Sequence, residues 1–117
     1  MTSPQVTLRV DDRVVCERCL VADRPWTRMR GLLGRSELAR GEGILLRPAG
    51  SIHTFFMRFP IDAVFVGRDG TVVGVEHDLK PWRAARRRGA KWVLELRAGE
   101  ADARAVYTGA RLQENPA

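Results

Sequence analysis

The Asp69-Gly70 pair between two apolar runs constrains the fold of this chain more than any other feature. An unbroken apolar run at residues 63–66 precedes the pair, and residues 71–75 provide a matching extended segment after it. Asp and Gly tolerate the positive φ angles of a tight turn, so this segment predicts a β-hairpin. The core is therefore expected to form around a largely antiparallel sheet.

Other short strands are predicted where apolar residues alternate with polar ones or form brief runs. These strands cover residues 6–10, 14–21, 44–46, 52–57, 92–96 and 111–112. Residues 79–88 contain a proline and several arginines, and we expect them to form an irregular excursion between strands.

Two short helices complete the prediction. Asp23 can cap a helix with Pro25 in its first turn, and apolar residues at helical spacing follow until Gly34 ends it. A second short helix is predicted at residues 100–106. The predicted fold class is therefore α+β: a compact, curled or barrel-like, mainly antiparallel sheet with one or two short helices.

Length and composition indicate one globular domain over residues 1–117. The chain is 44% hydrophobic and 29% charged, which is ordinary for a globular protein, and 117 residues suffice for one core. No segment approaches the roughly 20 consecutive apolar residues that cross a bilayer. The first twelve residues also lack the apolar core of a secretory signal. The sequence therefore predicts a cytoplasmic protein without a membrane partner.

The chain is strongly basic, which raises nucleic acid as a partner. Its formal net charge is +6, and 18 of its 20 basic residues are arginines spread from Arg9 to Arg111. The one dense cluster is Arg-Ala-Ala-Arg-Arg-Arg at residues 83–88, flanked by Trp82 and Trp92. Positive charge beside aromatic surface is typical of proteins that bind single strands. An arginine-rich loop is usually just solvated, and no recognised nucleic-acid module is present, so nucleic acid ranks behind a small ligand.

Three blocks in order along the chain carry a family resemblance. They are Arg-Met-Arg-Gly-Leu-Leu-Gly-Arg at residues 28–35, the segment from Ser51 to Asp62, and the 69–70 hairpin followed by residues 79–83 and 93–96. Together they resemble the bacterial and archaeal domain-of-unknown-function 192 family over nearly the whole chain. The resemblance implies a compact β-rich domain of about this length, and the family has no established activity to transfer. Gly109-Ala110 departs from the Gly-Asp pair that relatives often carry before the last strand.

The segment from Ser51 to Asp62 also holds the candidate chemistry. Ser51, His53 and Asp62 are the residue types of nucleophilic hydrolysis, although no Gly-x-Ser-x-Gly elbow is present. A structural interpretation is favoured over a serine triad: His53 is hydrogen-bonded beside the core, and Asp62 fixes the turn at Pro60. A third interpretation is that these polar residues line a small-molecule pocket.

Arg30 adds support for a pocket because it borders the buried face of the predicted helix. Its guanidinium can pair with Asp62 or present its planar fork to an anionic ligand. We therefore predict a ligand-binding cleft for a small polar or anionic compound. The predicted lining residues are Arg30, His53, Met57, Asp62 and Trp82.

The motif Cys16-x-x-Cys19 is typical of redox turns and zinc sites, but its context here is weak. The chain has no other cysteine, and the motif lies in a strand-like segment, where residues three apart face opposite sides. We therefore predict two unpaired thiols, buried or partly exposed. No metal and no cofactor are predicted.

The leading functional prediction is a small binding protein with a polar pocket beside the segment from His53 to Asp62. One alternative is a hydrolase-like enzyme with His53 as base and Asp62 as its orienting partner, so enzyme activity stays open. The other alternative is an arginine-mediated module that binds nucleic acid or protein. The sequence carries no signal for the oligomeric state.

Overall fold

The computed structural model describes residues 5–24, 32 and 35–116, and strands dominate that part of the chain. The elements are β1 (Gln5–Val10), β2 (Arg13–Ala22), β3 (Glu42–Leu46), β4 (Ser51–His53), β5 (Ile61–Val66), β6 (Val72–Leu79), β7 (Ala84–Arg86), β8 (Trp92–Arg97), α1 (Glu100–Ala103) and β9 (Gln113–Pro116).

Seven of these strands form one sheet in the order β6-β5-β8-β3-β2-β1-β9. All neighbours are antiparallel except β2 and β3, and the sheet does not close into a barrel. The two short strands β4 and β7 form a separate antiparallel ribbon. The α+β class with a mainly antiparallel sheet is confirmed, and the described residues contain one short helix.

The predicted hairpin is present and connects β5 to β6. Its turn is wider than two residues, because the Gly67 amide donates to the Thr71 carbonyl at 2.8 Å and the Gly70 amide to the Gly67 carbonyl at 3.0 Å. Gly70 has a φ of +90°, and a Cβ there would lie 2.8 Å from the carbonyl oxygen of Leu112. Glycine is therefore required at this turn by both backbone conformation and space. Strand β6 continues to Leu79, beyond the predicted end at residue 75.

The curled sheet separates two apolar clusters. Every residue of β5 is buried, because its alternate side chains contribute to one cluster or the other. The first cluster includes Leu8, Cys16, Cys19, Leu45, Val64, Leu94 and Leu96. The second includes Leu32, Leu38, Met57, Ile61, Phe65 and Val93. The β4–β7 ribbon packs on the second cluster through Ile52 and Ala85.

The ribbon is where the structure differs most from the sequence prediction. The extended segment predicted at residues 52–57 ends at His53, and the chain turns so that the Met57 amide donates to the Thr54 carbonyl at 3.2 Å. The predicted excursion at 79–88 contains β7, whose three residues pair with β4. Both errors have one cause: short strands of this kind are defined by a distant partner rather than by local periodicity.

Smaller differences affect the two ends of the chain. The helix predicted from Asp23 to Gly34 lies largely outside the described residues. Helix α1 ends at Ala103, and the final strand begins at Gln113 rather than at residue 111. Arg111 instead forms an isolated bridge with Thr71. Among the described residues, no helix is long and apolar enough to cross a membrane.

Candidate functional site

Four aromatic rings meet at the outer surface beside the β4–β7 ribbon, and we call them the aromatic platform. His53 stacks on Phe55 with ring centroids 4.9 Å apart, and Phe55 lies 6.0 Å from Trp82 in a second stacked pair. Phe56 packs on Trp82 at 4.7 Å with its ring tilted by 60°. The rings therefore form a continuous row supplied by two distant parts of the chain.

The platform is open to solvent although its rings are large and apolar. Phe55, Phe56 and Trp82 are 40%, 71% and 56% exposed, and Phe56 and Trp82 have positive φ angles of 67° and 65°. Left-handed backbone at a bulky residue costs on the order of 1–3 kcal/mol and persists only where the surroundings enforce it. Exposed aromatics on constrained backbone are a feature of binding sites rather than of core packing.

Buried Thr54 joins the two loops that carry the platform. Its amide donates to the Arg83 carbonyl at 2.8 Å, and its hydroxyl accepts from the Arg83 amide at 2.9 Å. The same hydroxyl donates to the Lys80 carbonyl at 2.6 Å, and the Trp82 amide donates to the Thr54 carbonyl at 3.0 Å. These bonds fix the backbone of Trp82 relative to that of Phe55.

The ribbon extends the platform on one side. Ser51 pairs with Arg86 and His53 with Ala84, so these four side chains share the outward face of the ribbon. An open depression of about 520 Å³ lies over this face. The depression brings His53, a member of the platform, into one surface with the Arg86 guanidinium.

His53 has a defined hydrogen bond within the platform. Its Nδ1 accepts from the Phe55 amide at 3.3 Å. A neutral imidazole that accepts at Nδ1 carries its proton on Nε2. His53 can therefore donate a hydrogen bond from Nε2 to a bound molecule.

Asp62 lies inside the fold, and its carboxyl group binds backbone amides. Oδ1 accepts from the Asp78 amide at 2.9 Å, and Oδ2 accepts from the Gly99 and Ala101 amides at 3.0 and 2.9 Å. Asp62 thereby ties the end of β6 and the start of α1 to β5. Among the described residues, none of its hydrogen bonds involves His53.

The five residues of the predicted cleft thus have different environments. His53 and Trp82 are exposed members of the platform, whereas Met57 is buried in the second cluster and Asp62 is fully buried. Arg30 lies outside the described residues. The grouping of all five around one cleft stays a prediction.

Positive charge is concentrated in the two segments that build this surface. Residues 51–60 and 80–91 contain seven of the 20 lysines and arginines and none of the 14 acidic residues. The other 13 basic residues are balanced by those 14 acids. Lys80 and Arg87 form ion pairs with Asp78 at 2.6 Å and Glu76 at 2.7 Å. The whole net charge of the protein therefore comes from the segments around the platform.

A β-bulge places both cysteines on the same face of β2, contrary to the sequence prediction. Val6 pairs with Cys19 and Leu8 with Cys16, so two steps along β1 match three along β2. Both thiols are free and buried in the first cluster. A hydrogen bond with Cys16, together with burial, raises the pKa of the Cys19 thiol. The predicted unpaired state is confirmed, and no group of three potential metal ligands occurs within residues 5–24, 32 and 35–116.

Glu95 is a buried carboxyl group that the sequence analysis did not identify. It lies in β8 between Ile44 and Ala63 of the neighbouring strands, on the side of the second cluster. Burial raises its pKa to about 8. The available signal was an acidic residue inside an otherwise apolar strand.

No signal in the sequence assigned Thr54, Phe55, Phe56 or Arg86 to the site. Phe55 and Phe56 precede a proline-containing apolar stretch, and their sequence context is that of core residues. Arg86 lies in a segment that only pairing with β4 turns into a strand. All four can be recognised as site residues only once residues 51–56 and 80–86 are known to be neighbours in space.

Solved structures share this architecture. A protein of unknown function from Novosphingobium aromaticivorans superposes with a TM-score of 0.80 at 24% identity, covering 93% of this chain and 83% of its own. A putative transcription regulator from Sinorhizobium meliloti superposes with a TM-score of 0.83 at 25% identity and covers 97% of both chains. The first of these likenesses establishes similarity of fold alone.

Sequence comparison places the chain in a family. A UPF0127 protein from Pyrococcus furiosus is 39% identical over 66 residues, and the match covers 56% of this chain and 56% of that protein. The chain thus aligns with little more than half the length of this relative. The model of the domain-of-unknown-function 192 family, described as "Uncharacterized ACR", matches residues 6–114. The protein therefore belongs to the domain-of-unknown-function 192 family.

Proposed function

We propose that the protein binds a polar or anionic ligand on the aromatic platform. The supporting observation is the platform itself: three exposed aromatic rings and an imidazole in one row on constrained backbone. Keeping large apolar rings in water forgoes the burial energy they would gain in a core. A ligand that covers the rings removes them from water and gains that burial energy for binding.

Each part of the surface has a chemical role in this proposal. Phe56 and Trp82 supply apolar faces for a flat ring or for the C–H face of a sugar. His53 donates from Nε2, and Arg86 contributes a guanidinium for a negatively charged group. Thr54 acts as a positioning residue, because its hydrogen bonds hold the two loops that carry the platform.

The hydrolase alternative has less support. It requires Asp62 to orient the imidazole of His53, yet both oxygens of Asp62 accept from backbone amides. His53 Nδ1, the atom that an orienting carboxylate would bind, accepts from the Phe55 amide instead. Binding without turnover is therefore the function we put forward.

The test is a titration in which NMR monitors the chemical shifts of the backbone amides. The probes are adenosine monophosphate, glucose 6-phosphate and maltose. These probes separate a flat anion, an anionic sugar and a neutral sugar. We expect at least one to shift amides in residues 53–56 and 82–86, and Trp82→Ala to weaken its binding by about tenfold or more. Tyr107→Ala is the matched control, because Tyr107 is a 54% exposed aromatic outside the platform.

Two results would contradict the proposal. One is that no probe shifts these amides at millimolar concentration while the protein is folded. The other is that binding persists unchanged in both Trp82→Ala and Phe56→Ala.

A further inference from the structure

We propose that the natural ligand of the aromatic platform is a single-stranded nucleic acid. The inference rests on the proposed function and names the ligand class of the same site. It depends on three features: the charge of the two surrounding segments, the succession of contacting rings, and the open shape of the surface.

The charge of the site favours a polyanion. The two segments that form it contain seven basic and no acidic residues, whereas the remainder of the chain is close to neutral. Lys80 and Arg87 are ion-paired with Asp78 and Glu76, so the unneutralised positive charge beside the platform comes from residues such as Arg83 and Arg86. A ligand with one phosphate needs one or two cationic partners, but a strand presents a phosphate at every nucleotide. The density of positive charge therefore matches a strand better than a small anion.

Two exposed arginines lie beside the platform. Arg86 shares the outward face of the ribbon with Ser51 and His53, and Arg83 directly follows Trp82. One nitrogen of the Arg83 guanidinium donates to the Trp82 carbonyl at 3.3 Å, which holds the group beside the platform. Both arginines are exposed, and neither forms an ion pair with any residue that the structure describes.

The four rings contact one another in succession. Successive centroids from His53 through Phe55 and Trp82 to Phe56 are separated by 4.9, 6.0 and 4.7 Å. Within the platform, Phe56 and Trp82 are 71% and 56% exposed, and these are the rings with surface left for a base. Stacking is tolerant of sequence because every base has a π-face, so the site would bind strands with little base preference.

The open shape argues against a small molecule as the main ligand. Small-molecule sites are usually concave and bury most of the ligand. Here the rings are 40–71% exposed, and the adjoining depression lies over a flat two-stranded ribbon. A polymer can lie along such a surface and gain affinity from several weak contacts. A duplex keeps its bases stacked inside, so the exposed rings select unpaired strands.

The experiment is fluorescence anisotropy with labelled RNA and DNA oligonucleotides of about 12 nucleotides, a length within known site sizes. A duplex of the same sequence is the comparison. We expect both single strands to bind with a Kd of about 10 µM or tighter at about 50 mM salt, and the duplex at least about tenfold more weakly. Stronger binding of RNA than of DNA would support the inference and indicate contact with the 2′-hydroxyl.

Variants separate stacking from charge. Phe56→Ala and Trp82→Ala should each weaken binding by about tenfold with little change in the salt slope, because stacking releases no counterions from the phosphates. Arg83→Ala and Arg86→Ala should each reduce the slope of log K against log salt by about one. Arg18→Ala, which removes an exposed arginine from β2, should leave the slope nearly unchanged and serves as the matched control.

The outcomes distinguish this inference from the proposed function. Equal binding of duplex and single strand, or a loss with Arg18→Ala as large as that with Arg86→Ala, indicates general charge attraction and overturns the inference. If no oligonucleotide binds but adenosine monophosphate or a sugar phosphate still shifts the platform amides, the inference fails and the proposed function stands. If neither class binds, both are wrong.

Discussion

Thr54 and Arg83 form two reciprocal hydrogen bonds between the loops that carry the aromatic platform. The Thr54 amide donates to the Arg83 carbonyl at 2.8 Å, and the Arg83 amide donates to the Thr54 hydroxyl at 2.9 Å. The residues are 29 positions apart in sequence, so this pair joins two loops that no local signal connects. Because the hydroxyl also donates to Lys80, one buried side chain satisfies backbone groups on both sides of Trp82.

Thr54→Val should therefore destabilise the protein and disorganise the platform. Valine keeps the shape of threonine but leaves the Lys80 carbonyl and the Arg83 amide without their partner, which costs about 1–3 kcal/mol. Urea denaturation measures the loss. Thr71→Val is the control, since the Thr71 hydroxyl bonds to Asp69 at an exposed turn, and its effect should be smaller. An unchanged midpoint for Thr54→Val would show that the two loops are held by other contacts.

Asp62→Asn should lower stability by about 2–3 kcal/mol, because hydrogen bonds to a carboxyl group are among the stronger ones in proteins. Asp62 accepts three N–H groups on two oxygens, whereas asparagine has only one oxygen. The NH2 group of asparagine would therefore point at a backbone N–H, and two donors cannot form a hydrogen bond. Thermal unfolding followed by circular dichroism measures the change. Asp12→Asn, at an exposed turn, should have little effect.

The same variant separates a structural role of Asp62 from direct ligand contact. If Asp62 acts only by positioning backbone, the folded fraction of Asp62→Asn should bind the ligand of the platform with nearly unchanged affinity. A loss of affinity of tenfold or more in protein that remains folded would contradict a purely structural role and would support the cleft predicted from the sequence.

Glu95 should make the protein less stable as the pH rises. Its pKa is about 8 in the folded protein and 4.5 in an exposed carboxyl group, so the folded state holds the proton more tightly. The stabilising effect of protonation is complete below pH 4.5 and is lost through the interval up to pH 8, by on the order of 3 kcal/mol at pH 7. Denaturation between pH 4.5 and 8 should show this decrease.

Glu95→Gln removes the titrating group and should flatten that pH profile. The exposed Glu37→Gln is the control and should retain the slope of the unmodified protein. A slope that persists in Glu95→Gln would assign the pH dependence to another group.

The thiols of Cys16 and Cys19 should be unreactive in the folded protein. Both are fully buried in the first cluster, and the raised pKa of Cys19 keeps it in the unreactive protonated form. Reaction with a chromogenic disulfide reagent should be slower in buffer than in urea by on the order of a hundredfold, because it requires opening of the sheet. Comparable rates in both solvents would mean that β2 opens readily and that the bulge is accessible.

Much of the sheet could be predicted from local sequence. Observed strands match the 63–66 run and the alternation at residues 6–10, and the Asp69-Gly70 pair lies in the turn between two of them. These features are predictable because the burial of a strand determines the pattern of apolar residues within the strand itself. The local sequence contains no such pattern for the end of the strand at His53 or for the strand at 84–86. Their conformations depend on each other, and on the bonds of Thr54, across about 30 residues of intervening chain.

The candidate site divides in the same way. The sequence by itself determined the family and the β-rich class. It also predicted the pair of free thiols, and it named the segment from His53 to Asp62 as the candidate site. Only the tertiary structure decided that Asp62 faces inward to three backbone amides while His53 joins Trp82 at the surface. The physical reason is that hydrogen-bond partners and exposed surfaces arise from the pairing of distant segments, whereas strand and turn propensities are properties of neighbouring residues.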